Sequence, residues 1–134
     1  MDALVIDGKS YRVPVLTYRV EPQILDGEGT GRSASIGWTM VRDPNGTIVN
    51  LTVKVGILTS SDPEFVALWN KIMSMGVTDF ANVQILLPNG VNFTQQMYCN
   101  PKTLEMRYMN RNGVTFWGQW ELNFIAKEAY LVPS

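Results

Sequence analysis

The 134 residues form one domain, 1–134, and the composition of the chain excludes several classes of function. Eleven basic and twelve acidic residues give a formal net charge of −1, so the chain has no positive field for sequence-specific nucleic acid binding or for holding an anionic membrane. A single cysteine, Cys99, excludes an intramolecular disulfide, and the lack of histidine removes the commonest acid–base group and metal ligand.

Alternation of apolar and polar residues predicts antiparallel strands along most of the chain. The first hairpin is expected to join Ala3–Ile6 to Tyr11–Val20 through Asp7-Gly8, because this dipeptide tolerates positive φ. The N-terminus has no basic region and only four apolar residues in a row, so it does not resemble a signal peptide, and no apolar run is long enough for membrane insertion.

A glycine-rich polar segment follows over residues 25–33. It lacks the spacing of a phosphate-binding loop and leads into a predicted strand rather than a helix. We therefore expect Gly27–Ser35 to be a loop that is mobile in the free protein and orders against a partner.

The next predicted hairpin has a turn at Asp43-Pro44-Asn45-Gly46, where proline and glycine suit the required backbone angles. Its first strand contains Ile36, Trp38 and Met40. The return strand places one set of residues on an apolar face, and these are Val49, Leu51, Val53, Val55 and Ile57. Asn50, Thr52 and Lys54 form the opposite face, which is expected to meet water or a neighbouring subunit.

One helix is predicted over Ser61–Met75. Ser61-Asp62-Pro63-Glu64 is a capping-box sequence in which the Ser61 hydroxyl would accept the Glu64 N–H, and Gly76 marks the end. The apolar stripe consists of Phe65, Leu68, Trp69, Ile72, Met73 and Met75. It favours a helix packed on its own sheet over one that binds a partner.

Two further hairpins are predicted in the last third of the chain. Val83–Leu87 and Val91–Cys99 flank Pro88-Asn89-Gly90, and Leu104–Met109 and Val114–Ala126 flank a turn at residues 110–113. Adjacent Phe116 and Trp117 cannot both point inward in a regular strand. One is exposed, or a bulge at Gly118 redirects it, and this makes Trp117 a candidate interface residue.

No arrangement of residues predicts catalysis, a cofactor or a metal site. The acidic pair Asp26 and Glu28 lies in the glycine-rich segment, and Asp62 and Glu64 are explained by helix capping. Cys99 has no histidine to activate it and falls on the apolar phase of its strand, so a buried, unreactive thiol is expected. The chain is therefore predicted not to be an enzyme.

Several segments resemble small tail proteins of phages and prophages of Gram-positive bacteria. They are Ile6–Val13, Leu25–Glu28 with Gly31-Arg32, Met40–Asp43 with Gly46-Thr47, the capped helix to Leu68-Trp69, and Leu122–Lys127. The resemblance implies a mainly β fold with one α-helix, an antiparallel β-sandwich or barrel of the tail-tube type with a flanking helix. It also implies a virion structural protein that is made in the bacterial cytoplasm and located in the tail.

Such a protein would be a ring-forming subunit of the distal tail, the baseplate hub or the tail tube. Its partners would be itself, as a hexameric ring, and other tail proteins. The expected interface residues are Glu28, Arg32, Arg42, Asp43, Asn45 and Trp117. The alternative is a monomeric β-sandwich that binds glycans through solvent-facing aromatic residues, for which Trp38, Trp117 and Trp120 are the candidates.

Overall fold

The computed structural model describes residues 4–26, 31–33, 39–41 and 44–128. One helix, α1, spans Pro63–Ser74 within them. The strands are β1 (Val5–Ile6), β2 (Lys9–Ser10), β3 (Val15–Asp26), β4 (Gly31–Ser33), β5 (Thr39–Val41), β6 (Pro44–Val55), β7 (Leu58–Thr59), β8 (Ala81–Leu86), β9 (Asn92–Pro101), β10 (Met106–Met109), β11 (Thr115–Trp117) and β12 (Trp120–Ala126).

All strand pairs are antiparallel, and the described strands form three sheets. The large sheet has the order β2-β1-β8-β9-β12-β6-β3, so β3 forms one of its edges. A small sheet has the order β10-β11-β7, and β4 pairs with β5 alone. These sheets and the single helix confirm the predicted class, mainly β with one α-helix.

The core lies between one face of the large sheet and α1. Val49, Leu51, Val53 and Val55 of β6 are buried, as their alternation predicts, whereas Ile57 lies past the end of the strand and is 65% exposed. Trp120, Leu122 and Phe124 of β12 are also buried. The helix contributes Phe65, Leu68 and Ile72, and the Phe65 ring meets the Trp120 ring edge-on at 6.3 Å between centroids. The prediction that α1 packs on its own sheet is confirmed.

The large sheet curls so that its edge strand β3 approaches β8. Three strands separate them, which would place them about 19 Å apart in a flat sheet. The Tyr18 hydroxyl on β3 nevertheless accepts the backbone N–H of Leu86 on β8 at 2.8 Å. The Leu86 amide lies beyond the part of β8 that pairs with β1, and Tyr18 supplies its hydrogen-bond acceptor.

The N-terminus of α1 differs from the prediction by one residue. Asp62 is the N-cap and its carboxylate accepts the Glu64 N–H at 3.0 Å, whereas Ser61 Oγ lies 3.2 Å from the Thr59 hydroxyl. Glu64 does not reach back to close a capping box; its Oε2 accepts the Arg12 N–H at 3.3 Å. Aspartate caps as well as serine does, so the sequence alone leaves the choice open.

Three of the predicted turns are confirmed by their backbone angles. Asp7 and Gly8 have φ of 51° and 81° between β1 and β2, and Gly90 and Gly113 have φ of 85° and 79° in the β8–β9 and β10–β11 turns. The strand after the first turn, however, ends at Ser10. The long strand β3 begins at Val15 and pairs with β6 instead.

The predicted turn at Asp43–Gly46 is wrong where the structure describes it. Pro44 begins β6 and lies opposite Asp26 of β3, and Gly46 lies opposite Leu25, so Asn45 is the extra residue of a bulge. Gly46 has φ of 120°, a positive value that favours glycine, so the sequence correctly indicates positive φ at this position. A proline at the start of a strand and a glycine at a bulge are both compatible with a sheet, so the same residues suited either structure.

The segment predicted as one strand over Val114–Ala126 is divided between two sheets. Strand β11 ends at Trp117 and belongs to the small sheet, whereas β12 begins at Trp120 in the large sheet. Gly118 and Gln119 connect them, and the Gly118 N–H donates to the Glu105 carbonyl at 2.9 Å. The irregularity expected at Gly118 is therefore a change of sheet.

Candidate assembly interface

The proposed interface residues that the structure describes lie in three different sheets. Glu28, Arg42 and Asp43 lie outside the described residues, as does Trp38. Arg32 is on β4 opposite Met40, so the centre of the predicted Gly27–Ser35 loop is a short strand, and Asn45 is the bulge residue of β6. Trp117 belongs to the small sheet.

The first region is a two-stranded ribbon formed by the outer halves of β3 and β6. Strand β12 pairs with β6 only from Val55 back to Leu51. The pairing of β3 with β6 continues further, from Glu21 opposite Asn50 to Asp26 opposite Pro44. We call these outer pairs the β3–β6 ribbon. No third strand pairs with the ribbon in the part of the chain that the structure describes. A two-stranded ribbon on its own is at best marginally stable in water, so this one is suited to being covered by another surface.

The described side chains of the ribbon are exposed on β3. On β6, hydrogen bonds hold the ribbon at its base, where it leaves the large sheet. Glu21, Pro22, Gln23 and Ile24 are all exposed, and the apolar side chain of Ile24 is 59% accessible. At the base, the Gln95 side-chain amide donates to the Val49 carbonyl at 2.6 Å. The Ala126 N–H donates to Asn50 Oδ1 at 2.9 Å. The ribbon is therefore fixed where it leaves the sheet, and its described side chains on β3 are exposed while those of residues 46–48 on β6 are half-buried.

The sheet face opposite the core is polar at the level where the ribbon begins. The Thr52 hydroxyl contacts the Glu21 carboxylate and lies 3.0 Å from Asn123 Oδ1, and Thr52 is only 6% exposed. Lys54 lies opposite Glu121 on β12, and Arg19 opposite Thr52. Both signs of charge are thus represented on this face.

The second region is an apolar groove of about 570 Å³ between α1, the segment Pro101–Leu104 and the small sheet. Its main apolar walls are Phe65, Val66, Trp69, Met73, Trp117 and Trp120. We call this the α1 groove. Val66, Trp69 and Met73 follow one another at helical spacing and are 42%, 40% and 43% exposed. The helix is therefore apolar on the groove side as well as on the side that enters the core.

The two tryptophans in the floor and wall of the groove have internal hydrogen-bond partners. Trp117 Nε1 donates to Thr115 Oγ1 and Trp120 Nε1 donates to the Lys102 carbonyl, each at 2.9 Å. The Ser60 hydroxyl accepts the Thr115 N–H at 3.0 Å. Trp120 is also only 1% exposed. Neither indole N–H is directed to a ligand, and the surface that remains is suited to apolar groups.

Trp117 is half-buried in the wall of the α1 groove, so it is neither a core residue nor a projecting one. The sequence alone does not reveal the groove, because Trp69 and Met73 belong to the same apolar stripe as the core residues of the helix. Their positions on the helix, one turn apart and offset from Leu68 and Ile72, were the available signal.

No reactive centre is found among the described residues. Burial raises the pKa of the half-buried Cys99 thiol to about 12, so it remains protonated at neutral pH. No cluster of acidic residues and cysteine with the geometry to hold a metal ion occurs in the described ranges. Within the same ranges, no helix combines the length and apolar character needed to cross a membrane.

Comparison with known proteins gives no relative: no family model, no curated protein and no solved structure matches the chain.

Proposed function

We propose that this chain is a ring-forming structural subunit of a phage tail, in the distal tail, the baseplate hub or the tail tube, and that it acts by self-assembly. The observation that carries the proposal is the β3–β6 ribbon, which continues past β12 with exposed side chains on β3 and with no further strand paired to it among the described residues. Strand edges that are open in this way suit a contact with another subunit.

Two other features support an assembling subunit. Strand β3 is twelve residues long and forms an edge of the large sheet, where an isolated soluble protein would be prone to uncontrolled pairing. The α1 groove provides a separate apolar surface between the helix, the segment Pro101–Leu104 and the small sheet. Two different contact surfaces on one chain are what a heterologous interface needs in order to close a ring.

The resemblance of the sequence to phage tail proteins supplies the biological setting of the proposal. The protein would be made in the host bacterial cytoplasm and would reside in the virion tail, where it would contact copies of itself and other tail proteins. It would have no catalytic role. The proposed hexameric ring is the stoichiometry that this resemblance implies.

The monomeric glycan-binding alternative finds less support in the geometry of the aromatic residues. Of its three candidate tryptophans, Trp120 is buried, Trp117 uses its indole N–H internally, and Trp38 lies outside the described residues. Sugar sites combine an exposed ring with polar groups that are free to bond hydroxyls, and neither described tryptophan provides this combination.

Mass measurement tests self-assembly directly. Light scattering or native mass spectrometry over a range of protein concentrations should show a discrete ring, visible by electron microscopy, that increases with concentration. A mass equal to one chain at every concentration, with no ring in the micrographs, would overturn the proposal.

A ribbon-deleted variant tests the observation that carries the proposal. Replacing residues 23–48 by Asn-Gly would join Pro22 to Val49, which are register partners, through a two-residue hairpin turn. Every core residue that the structure describes is kept, so the melting temperature should change little while ring formation is lost. The point variant Arg32→Glu on β4 should weaken assembly in the same direction. Rings of normal yield from the ribbon-deleted variant would show that the ribbon is not the contact.

A further inference from the structure

Two turns of the structure share one backbone geometry and one Asn-Gly pair. The chain contains three such pairs, and two of them lie in the β8–β9 and β10–β11 turns. In the first turn, the Gly90 N–H donates to the Leu87 carbonyl and the Leu87 N–H donates to the Val91 carbonyl, each at 2.9 Å. The second turn repeats both bonds over residues 110–114, at 3.1 and 3.0 Å, and its glycine likewise has positive φ. The two turns are therefore a natural matched pair.

The asparagine side chains of the two turns are held differently. Asn89 and Asn112 occupy the same place, and both are exposed. Asn89 Oδ1 accepts the Val91 N–H at 3.0 Å. In the other turn, the equivalent N–H of Val114 donates instead to Asn110 Oδ1 at 3.0 Å. The Asn112 carboxamide is therefore left without a hydrogen bond to any described residue, although its backbone N–H also donates to Asn110 Oδ1 at 2.9 Å.

We propose that Asn112 is a site of spontaneous deamidation and that it reacts faster than Asn89. The Gly113 nitrogen loses its proton and attacks Cγ of Asn112, which closes a succinimide ring, and the side-chain nitrogen leaves as ammonia. Water then opens the ring at either carbonyl and gives aspartate or isoaspartate, so an amide is replaced by an acid. Glycine favours this reaction because it places no Cβ beside the attacking nitrogen.

Two structural differences favour reaction at Asn112. Asn89 must give up the hydrogen bond of its Oδ1 before its Cγ can turn to the following nitrogen, and a bond of ordinary strength slows the reaction by about two- to tenfold. Pro88 also fixes the backbone before Asn89, whereas Arg111 stands at the equivalent position and leaves more freedom. The glycine N–H groups are bonded alike in the two turns, so they do not decide the order.

The isoaspartate product would distort the β10–β11 turn. It adds a methylene group to the main chain between residues 112 and 113 and places a carboxylate there. The two backbone hydrogen bonds that close the turn span this position, so they cannot both keep their geometry. Met109 and Thr115 are the strand pair next to the turn. Modification should therefore loosen this end of the small sheet.

Peptide mapping by mass spectrometry tests the proposal on the purified protein, incubated at neutral and at mildly alkaline pH. Conversion of the amide to an acid should be several-fold faster at Asn112 than at Asn89. Isoaspartate should be among the products, and oxygen from isotopically labelled water should enter them. The rate should rise with pH, because hydroxide removes the proton from the attacking nitrogen.

Asn110→Leu tests the structural cause, because Leu87 holds the equivalent position in the slower turn. The substitution frees the Val114 N–H to bond Asn112 Oδ1, so deamidation at Asn112 should slow towards the rate at Asn89. The melting temperature of this variant should match that of the unmodified protein, since the substitution lies in a turn. Asn112→Gln is the control for the effect on the turn, because glutamine cannot close the same ring. Amide exchange at residues 110 and 113 should speed up as the unmodified protein ages, but not in this control.

Three outcomes would overturn the inference. The first is deamidation at Asn89 that is as fast as at Asn112. The second is an Asn110→Leu variant that folds normally and loses the Asn112 amide at the original rate or faster. The third is loss of that amide without any isoaspartate, since direct hydrolysis would then be the route.

Discussion

At the scale of single residues, Asp7 shows how one turn residue can join three elements. Its φ of 51° allows the tight β1–β2 turn, and its N–H donates to the Asn82 carbonyl at 2.7 Å. Asp7 Oδ1 accepts the Asn82 N–H at 2.8 Å, and Oδ2 lies 2.5 Å from Lys71 Nζ on α1. The hydrogen bond from Lys71, followed by that from Asn82, lowers the pKa of the Asp7 carboxyl.

Asp7→Asn should lower the free energy of unfolding at neutral pH by about 0.2–1 kcal/mol, the range for an exposed ion pair. Asparagine tolerates positive φ and can still accept the Asn82 N–H, so the substitution isolates the contact with Lys71. The pKa of Asp7 is lower in the folded chain, so its contribution is present above the ordinary value of 3.8 and is lost as the pH falls through the folded pKa.

Urea denaturation at neutral pH and below the folded pKa measures the effect of Asp7→Asn. The difference from the unmodified protein should shrink in acid. A cycle with Lys71→Met provides the control, because the two substitutions should not be additive if the residues interact. A loss of stability that is equal at both pH values would mean that the ion pair contributes nothing.

At the scale of elements, the sequence predicts structures whose signals are local. The turns at Asp7-Gly8, Pro88–Gly90 and residues 110–113 form because glycine or asparagine sits where the chain must reverse. The helix was predicted to within one or two residues at each end for the same reason. The pairing of β3 with β6 was not predicted, because it depends on residues far apart in sequence, and a bulge and a turn share the signal Pro44-Asn45-Gly46.

The site was less predictable than the fold for a related physical reason. A helical stripe shows that residues are apolar, but it does not show how wide the face covered by the sheet is. Phe65, Leu68 and Ile72 enter the core, whereas Trp69 and Met73 remain in the α1 groove.

The division of α1 into a core face and a groove face predicts different effects for two truncations. Leu68→Ala should cost about 2–5 kcal/mol of folding free energy, since Leu68 is fully buried. Met73→Ala, at 43% exposure, should cost less than about 1 kcal/mol in the monomer. Chemical denaturation of both variants measures this. Equal losses would show that the two faces are not distinct.

At the scale of the whole molecule, a curled sheet holds the core while the proposed assembly surfaces lie around it. The β3–β6 ribbon shares Val49 with the core, and the α1 groove shares Phe65 and Trp120 with it, whereas Ile24 of the ribbon and Met73 of the groove are exposed. The hydrogen bond from the Leu86 N–H to the Tyr18 hydroxyl joins the β3 edge to β8 across the core. Ring formation by β3 would therefore act on an edge whose position is already fixed by the fold.

Tyr18→Phe tests this closure of the sheet. Tyr18 packs against the core, and burial raises the pKa of its hydroxyl, so the group is neutral and available as an acceptor. Removing the hydroxyl keeps the ring but leaves the Leu86 N–H without its partner, which should cost about 1–3 kcal/mol of folding free energy. Hydrogen exchange at the Leu86 amide should speed up, since a bonded, part-buried amide becomes free to open.

Tyr98→Phe is the matched control, because Tyr98 lies on β9 and its hydroxyl has no hydrogen-bond partner in the described ranges. It should leave both stability and the exchange of Leu86 unchanged. If Tyr18→Phe also leaves both unchanged, then strand pairing and apolar packing alone curl the sheet. The β3 edge would in that case be free to move, and the binding of a neighbouring subunit, rather than the monomer fold, would set its position.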